Sequence, residues 1–153
     1  MFCFAIDAYS PNATNSGPEF QTSYMARNMG ANRDGRGADG GSIMSLYITS
    51  AVNTTGAVSI ADRSLAPIKF KVAANQVTIV TILPGAYLPS AGTAGKAIHI
   101  TSVKTAAIYA HIYANGVSDA TLFLPVSTLG KDYLSINYID HGMQKPSTFI
   151  MTN

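Results

Sequence analysis

The chain has 153 residues, of which 47% are hydrophobic and 12% charged, with a formal net charge of +2. That length and apolar content suffice for one domain with its own core and exclude a disordered chain. So small a charge, with no basic cluster among aromatics, sets nucleic acid aside as an expected partner, and no apolar run nears the roughly 18 residues of a membrane-spanning helix.

Residues 1–18 read as an N-terminal extension: a short apolar run, 2–6, then a loop rich in Pro, Asn, Ser and Gly. The start has no basic region and too short an apolar run for a signal peptide, so a chain lying within a longer gene product is expected. Cys3 is the sole cysteine, which rules out an internal disulfide. Residues 19–153 are expected to form one β domain. Phe20, Thr22 and Tyr24 alternate with Gln21, Ser23 and Met25, a strand pattern. Residues 27–41 have loop composition, and a loop of that length is usually functional or mobile.

Residues 43–49 predict a strand with Leu46 and Ile48 inward. Asn53-Thr54-Thr55-Gly56 predicts a turn before a strand at 57–60. Ile68, Phe70 and Val72 alternate with Lys69 and Lys71, an amphipathic strand, and Ala74-Asn75 turns it into 76–83. That second run is continuously β-branched and predicts a strand covered on both faces. Residues 84–89 read as a turn or single helical turn, and 90–96 as a loop of small residues.

The stretch 97–130 carries most of the pattern and reads as three strands. Ile98 and Ile100 alternate with His99 and Thr101; Ile108, Ala110 and Ile112 with Tyr109, His111 and Tyr113; Leu122 and Leu124 with Thr121 and Phe123. Asn115-Gly116-Val117-Ser118-Asp119 predicts a hairpin loop of about four to six residues. Pro125 ends the third strand, because it has no N–H to give a ladder. Strands are also expected near 132–139 and from 149 onward. No segment keeps a helical period. Short strands with turn signals every eight to twelve residues predict an all-β fold, an antiparallel two-sheet β-sandwich that admits a jelly-roll-like variant.

Several of these segments together resemble one family. Gly17-Pro18-Glu19-Phe20 is similar to its Gly-x-Glu-Phe opening, and Met44-Ser45-Leu46-Tyr47-Ile48-Thr49-Ser50 to its next strand. Ala74-Asn75-Gln76-Val77-Thr78 resembles its hairpin turn. Ile98-His99-Ile100-Thr101-Ser102 and Ala107-Ile108-Tyr109-Ala110-His111 resemble its paired strands. Asp119-Ala120-Thr121-Leu122-Phe123-Leu124-Pro125 and Leu129-Gly130-Lys131-Asp132-Tyr133 resemble its most distinctive segment. The family is the IgGFc-binding protein N-terminal domain, here closest in pattern to its bacterial, Bacteroidetes-like branch. The resemblance spans about 17–153. It implies an extracellular or cell-surface, non-catalytic binding or adhesion module that recognises protein or glycan. A structural spacer in a larger surface or gliding-motility protein is the alternative, and a polysaccharide-hydrolase accessory domain a third. The family domain usually continues past the equivalent of Asn153, which implies an incomplete copy whose open C-terminal edge could take a partner strand. Gln21-Thr22-Ser23 departs from the apolar run that usually follows the opening.

Among single residues, Tyr109, His111 and Tyr113 are the foremost ligand-binding candidates, because aromatic groups with polar tips anchor partners or stack on sugars. The competing reading makes them the cover of a second layer of the sandwich. Arg33 and Arg36 could meet an acidic ligand. Asp34 and Asp39, among glycines in the same loop, could hold a hard cation, although EF-hand spacing is absent. His99, His111 and His141 would form a metal site only if the fold gathered them, with His99 and His111 expected on adjacent strands. No Gly-x-Ser-x-Gly and no base near Cys3 supports a nucleophile. Neither catalysis nor a cofactor is expected.

Overall fold

The computed structural model describes residues 14–25, 43–88, 94–114 and 117–129. Phe2 to Ile6, Cys3, Arg33, Asp34, Arg36, Asp39 and His141 lie outside the described residues, as do the strands expected near 132–139 and from 149.

Among the described residues nine strands follow one another: β1 (Gly17–Thr22), β2 (Tyr24–Met25), β3 (Ile43–Thr49), β4 (Thr54–Ile60), β5 (Ile68–Val72), β6 (Val77–Ile82), β7 (Tyr87–Leu88), β8 (Ile98–Ala114) and β9 (Val117–Leu122). Two short 3-10 turns, Pro84–Ala86 and Val126–Thr128, complete the described structure. The protein is all-β. Seven strands share one antiparallel sheet whose backbone path runs β5-β4-β8-β3-β6, with β1 and β9 added on β8. β2 and β7 form a small parallel pair, Tyr24 opposite Tyr87.

β8 joins the whole sheet, and it is one strand of 17 residues where the sequence suggests two. Ser102-Val103-Lys104-Thr105 contains no Gly, Pro, Asn or Asp, and its Val and Thr favour extended backbone. The segment instead absorbs a bend. Gly17 lies opposite Ala106 and Glu19 opposite Thr101, so two steps along β1 span five along β8. Such a bulge twists and bends the strand that carries it. Ile98 and Ile100 before the bend and Ala106, Ile108 and Ala110 after it are buried, while Val103 at the bend is 71% exposed. β1 and β4 pair with the first half of β8, β3 and β9 with the second.

The end strands of the path come together. β5 meets β6 through the turn at 73–76, so the sheet is barrel-like and nearly closed. That turn is fastened to the one between β3 and β4: the Asn75 N–H donates to the Ser50 carbonyl at 2.8 Å, and the Ala74 N–H to Asn53 Oδ1 at 2.8 Å. Asn75 holds a φ of 58°, a left-handed conformation that asparagine tolerates better than most residues.

Among the described residues the core is one cluster. Phe20, Val58, Phe70, Val72, Ile98 and Ile100 fill it from the strands around the first half of β8, and Met44, Leu46, Ile48, Val80, Ile82 and Ile108 from those around the second. Each fully buried side chain of this size contributes about 1.5–3 kcal/mol over its exposed state. Leu46, Ile48, Phe70 and Val72 point inward as their alternation predicts.

Four local expectations are corrected. The turn before β4 is 50–53, and Thr54 to Gly56 already belong to the strand, because Thr54 pairs with Val72 and Gly56 with Phe70. β1 begins at Gly17, inside the expected loop. The β8–β9 connection is short: Ala114 pairs with Val117, so Ser118 and Asp119 are strand residues. Finally, Phe123 is buried and Leu124 is 38% exposed, so the aromatic ring and not the leucine face of the alternation meets the core. The Phe123 N–H donates to the Ile108 carbonyl at 2.9 Å, which continues the β9 register and turns the ring inward.

Candidate functional site

The second half of β8 presents odd-numbered residues outward. Tyr109 is 45% and Tyr113 48% exposed, and His111 between them is half-buried. Among the described residues no second layer covers the two tyrosines. They sit on a strand with ladders on both sides, β3 along one and β9 along the other, which holds the backbone beneath them rigid.

The ladders define what surrounds them. Tyr109 lies opposite Tyr47 on β3 and opposite Leu122 on β9, and Tyr47 lies opposite Ile79 on β6. Leu122, Tyr109, Tyr47 and Ile79 therefore form a single row across four strands, about 14 Å long at the usual strand spacing. The next row is Ala120, His111, Ser45 and Thr81, and the third contains Ser118, Tyr113 and Ile43. Ile79 is 57% and Ile43 52% exposed. An apolar surface of this kind, framed by hydroxyls, is the usual chemistry of an interaction face.

His111 is held in place from two sides. Its Nε2 lies 2.7 Å from Ser118 Oγ. Its ring meets Tyr47 edge to face, with centroids 6.1 Å apart and planes at 68°. Such aromatic pairs contribute about 0.5–1.5 kcal/mol beyond the area they bury. The two contacts fix the imidazole in the middle of the face.

Tyr47, Ile79, Leu122 and Ile43 are members of this face that sequence reasoning misses. Tyr47 was discernible, since it alternates with inward Leu46 and Ile48. Ile79 was not, because the β-branched run of β6 predicts cover on both sides. In the structure Val80 and Ile82 are buried while Val77, at 59%, and Ile79 are exposed. The run is continuous because one of its faces meets the core and the other belongs to this surface.

His99 and His111 do not lie on adjacent strands. They occupy the same strand, twelve positions apart across the bend, with separate partners: His99 Nε2 is 2.7 Å from Glu19 Oε1. Among the described residues no three His, Cys, Asp or Glu side chains converge on a point where a metal ion could bind. Arg33, Arg36, Asp34 and Asp39, outside the described residues, add nothing to this geometry. No helix among the described residues is long and apolar enough to cross a membrane.

Comparison of the chain with protein-family models, with curated proteins and with solved structures finds no match.

Proposed function

We propose that the protein is a non-catalytic binding module, and that the face carrying Tyr109, His111 and Tyr113 is where it engages its partner. One observation carries this reading: two tyrosines nearly half exposed, on a strand paired along both edges, in line with exposed aliphatic residues. Tyrosine offers a large contact area with few rotatable bonds, so its ordering on binding costs little. The flanking Ile43 and Ile79 favour a protein partner over a glycan, since a sugar platform gains from aromatic faces but not from branched aliphatics beside them. The resemblance to the IgGFc-binding protein N-terminal domain supports the same reading. With it come an extracellular or cell-surface location and a two-sheet sandwich as the finer description of the bent sheet.

Pull-down tests the proposal. The immobilised protein is exposed to surface-protein extracts, immunoglobulin and mucin glycans, alongside Tyr109→Ala/Tyr113→Ala. Saturable capture that falls at least tenfold in the double variant, with its thermal transition unchanged, is the expected result. Replacing two central aromatic anchors typically costs more than 1 kcal/mol each. Capture by both proteins alike would place the binding surface elsewhere. No saturable capture by the folded protein would favour a structural spacer, and capture of mucin glycans alone would make the partner a carbohydrate.

A further inference from the structure

The other half of the sheet has a different chemistry on its surface. β4, β5 and the first half of β8 frame an open groove of about 670 Å³. Lys69 and Lys71 line it, with Thr55, Ala57, Thr101 and the exposed Val103. The two lysines occupy alternate positions on β5, so they project from the same face, about 7 Å apart along the strand. Both are exposed.

The registers set the depth of the groove. Lys69 lies opposite Ala57, and Ala57 opposite Thr101; Lys71 lies opposite Thr55. The alanine leaves a low floor between a cation on one wall and a hydroxyl on the other. Thr55 and Thr101 are exposed and can donate and accept.

Charge decides the occupant. Lys96 is matched by Asp62 at 2.6 Å and His99 by Glu19 at 2.7 Å. Among the described residues Lys69 and Lys71 have no carboxylate partner. Two ammonium groups at that spacing, neither matched by a carboxylate among the described residues, suit a ligand with repeating negative charge. Phe70 also borders the groove, but it is 5% exposed and packed over Gly56, so it offers no ring for bases to stack on. Single-stranded nucleic acid binds by combining basic grooves with such platforms. A sugar chain needs only anion contacts and hydroxyl partners.

We propose that this groove binds an anionic oligosaccharide. Lys69 and Lys71 take successive sulfate or carboxylate groups, and Thr55 and Thr101 take ring hydroxyls. The site is separate from the aromatic face on the other half of β8, and does not depend on its assignment.

The test is titration of the full chain with four probes: a heparin-derived octasaccharide, its desulfated counterpart, an oligogalacturonate and a twelve-residue oligothymidylate. Saturable binding of the sulfated or the uronate probe, weakening as salt rises, is expected. The two arms identify which anion the groove prefers. Lys69→Gln/Lys71→Gln should lower affinity about 30-fold, the effect of losing two solvent-exposed ion contacts at about 1 kcal/mol each. Lys69→Arg/Lys71→Arg should retain most of it. Arg63→Gln, which removes one charge from an exposed turn outside the groove, should change it less than twofold. A loss with Arg63→Gln equal to that with Lys69→Gln would reduce the binding to bulk charge and overturn the proposal. So would tightest binding of the oligothymidylate, or no binding of any probe by the folded protein.

Discussion

Gly56 offers the sharpest test of how the sheet is packed. It pairs with Phe70 on β5 and with Ser102 on β8. A methyl group at its Cα would lie 2.2 Å from the Thr101 carbonyl oxygen and 2.3 Å from Phe70 Cζ. Comfortable carbon contacts need about 3.5–4.0 Å, so both neighbours must retreat by more than 1 Å. Phe70 is part of the core and has little room to turn. The Thr101 oxygen belongs to the backbone of β8, so it retreats only if β4 and β8 part. Overpacking of this kind typically costs about 1–3 kcal/mol, and a backbone obstacle puts Gly56→Ala at the top of that range. Replacing glycine returns about 0.4–1 kcal/mol by restricting the unfolded chain. The net loss is about 2–2.6 kcal/mol, which at this chain length lowers Tm by about 4–10 °C. Urea unfolding followed by circular dichroism measures it. In a double-mutant cycle Phe70→Leu should relieve the ring contact but not the carbonyl one, so the double variant stays less stable than Phe70→Leu alone. A Gly56→Ala protein within 0.5 kcal/mol of wild type would refute the close approach of β4 to β8 and the seating of Phe70 on the glycine.

Two further predictions concern titratable groups. Tyr24 is buried, and among the described residues its Oη has no hydrogen-bond partner. Tyr24→Phe should therefore leave stability unchanged or raise it by about 1 kcal/mol, and a loss of more than 1 kcal/mol by urea unfolding would mean the hydroxyl is satisfied. Burial, reinforced by Tyr87, pushes the Tyr24 phenol well above its ordinary value. Its folded-state value thus exceeds the unfolded one, so the related stability is complete below about pH 10 and is lost above it. Tyr24→Phe should blunt the alkaline decline. Asp62 is moved the other way, to about 2, by hydrogen bonds first from Lys96 and then from the Ser64 side chain and backbone. Its contribution is complete above about pH 4 and is lost as pH falls through about 2. A carboxyl NMR titration should place the Asp62 midpoint near 2 and show it rising toward 3.8 in Lys96→Met. A wild-type midpoint near 4 would show the pair is not formed in solution.

By itself the sequence determined that the protein is all-β, and it determined most strand positions and faces. It did so because period-two alternation is a local property: in Leu46 and Ile48, Phe70 and Val72, or Ile98 and Ile100, one buried face suffices to mark the strand. It also placed Tyr109, His111 and Tyr113 on one face of one strand. Only the tertiary structure decided what lies beside them. Tyr47, Ile79 and Leu122 come from three other strands, and their registers with β8 depend on pairings far apart in sequence. The same holds for Lys69, Ala57 and Thr101 in the basic groove. The bend in β8 was hidden for a related reason. It is produced by a surplus of residues over a partner strand about 85 positions earlier in the chain, and no local turn chemistry records a mismatch between two ladders.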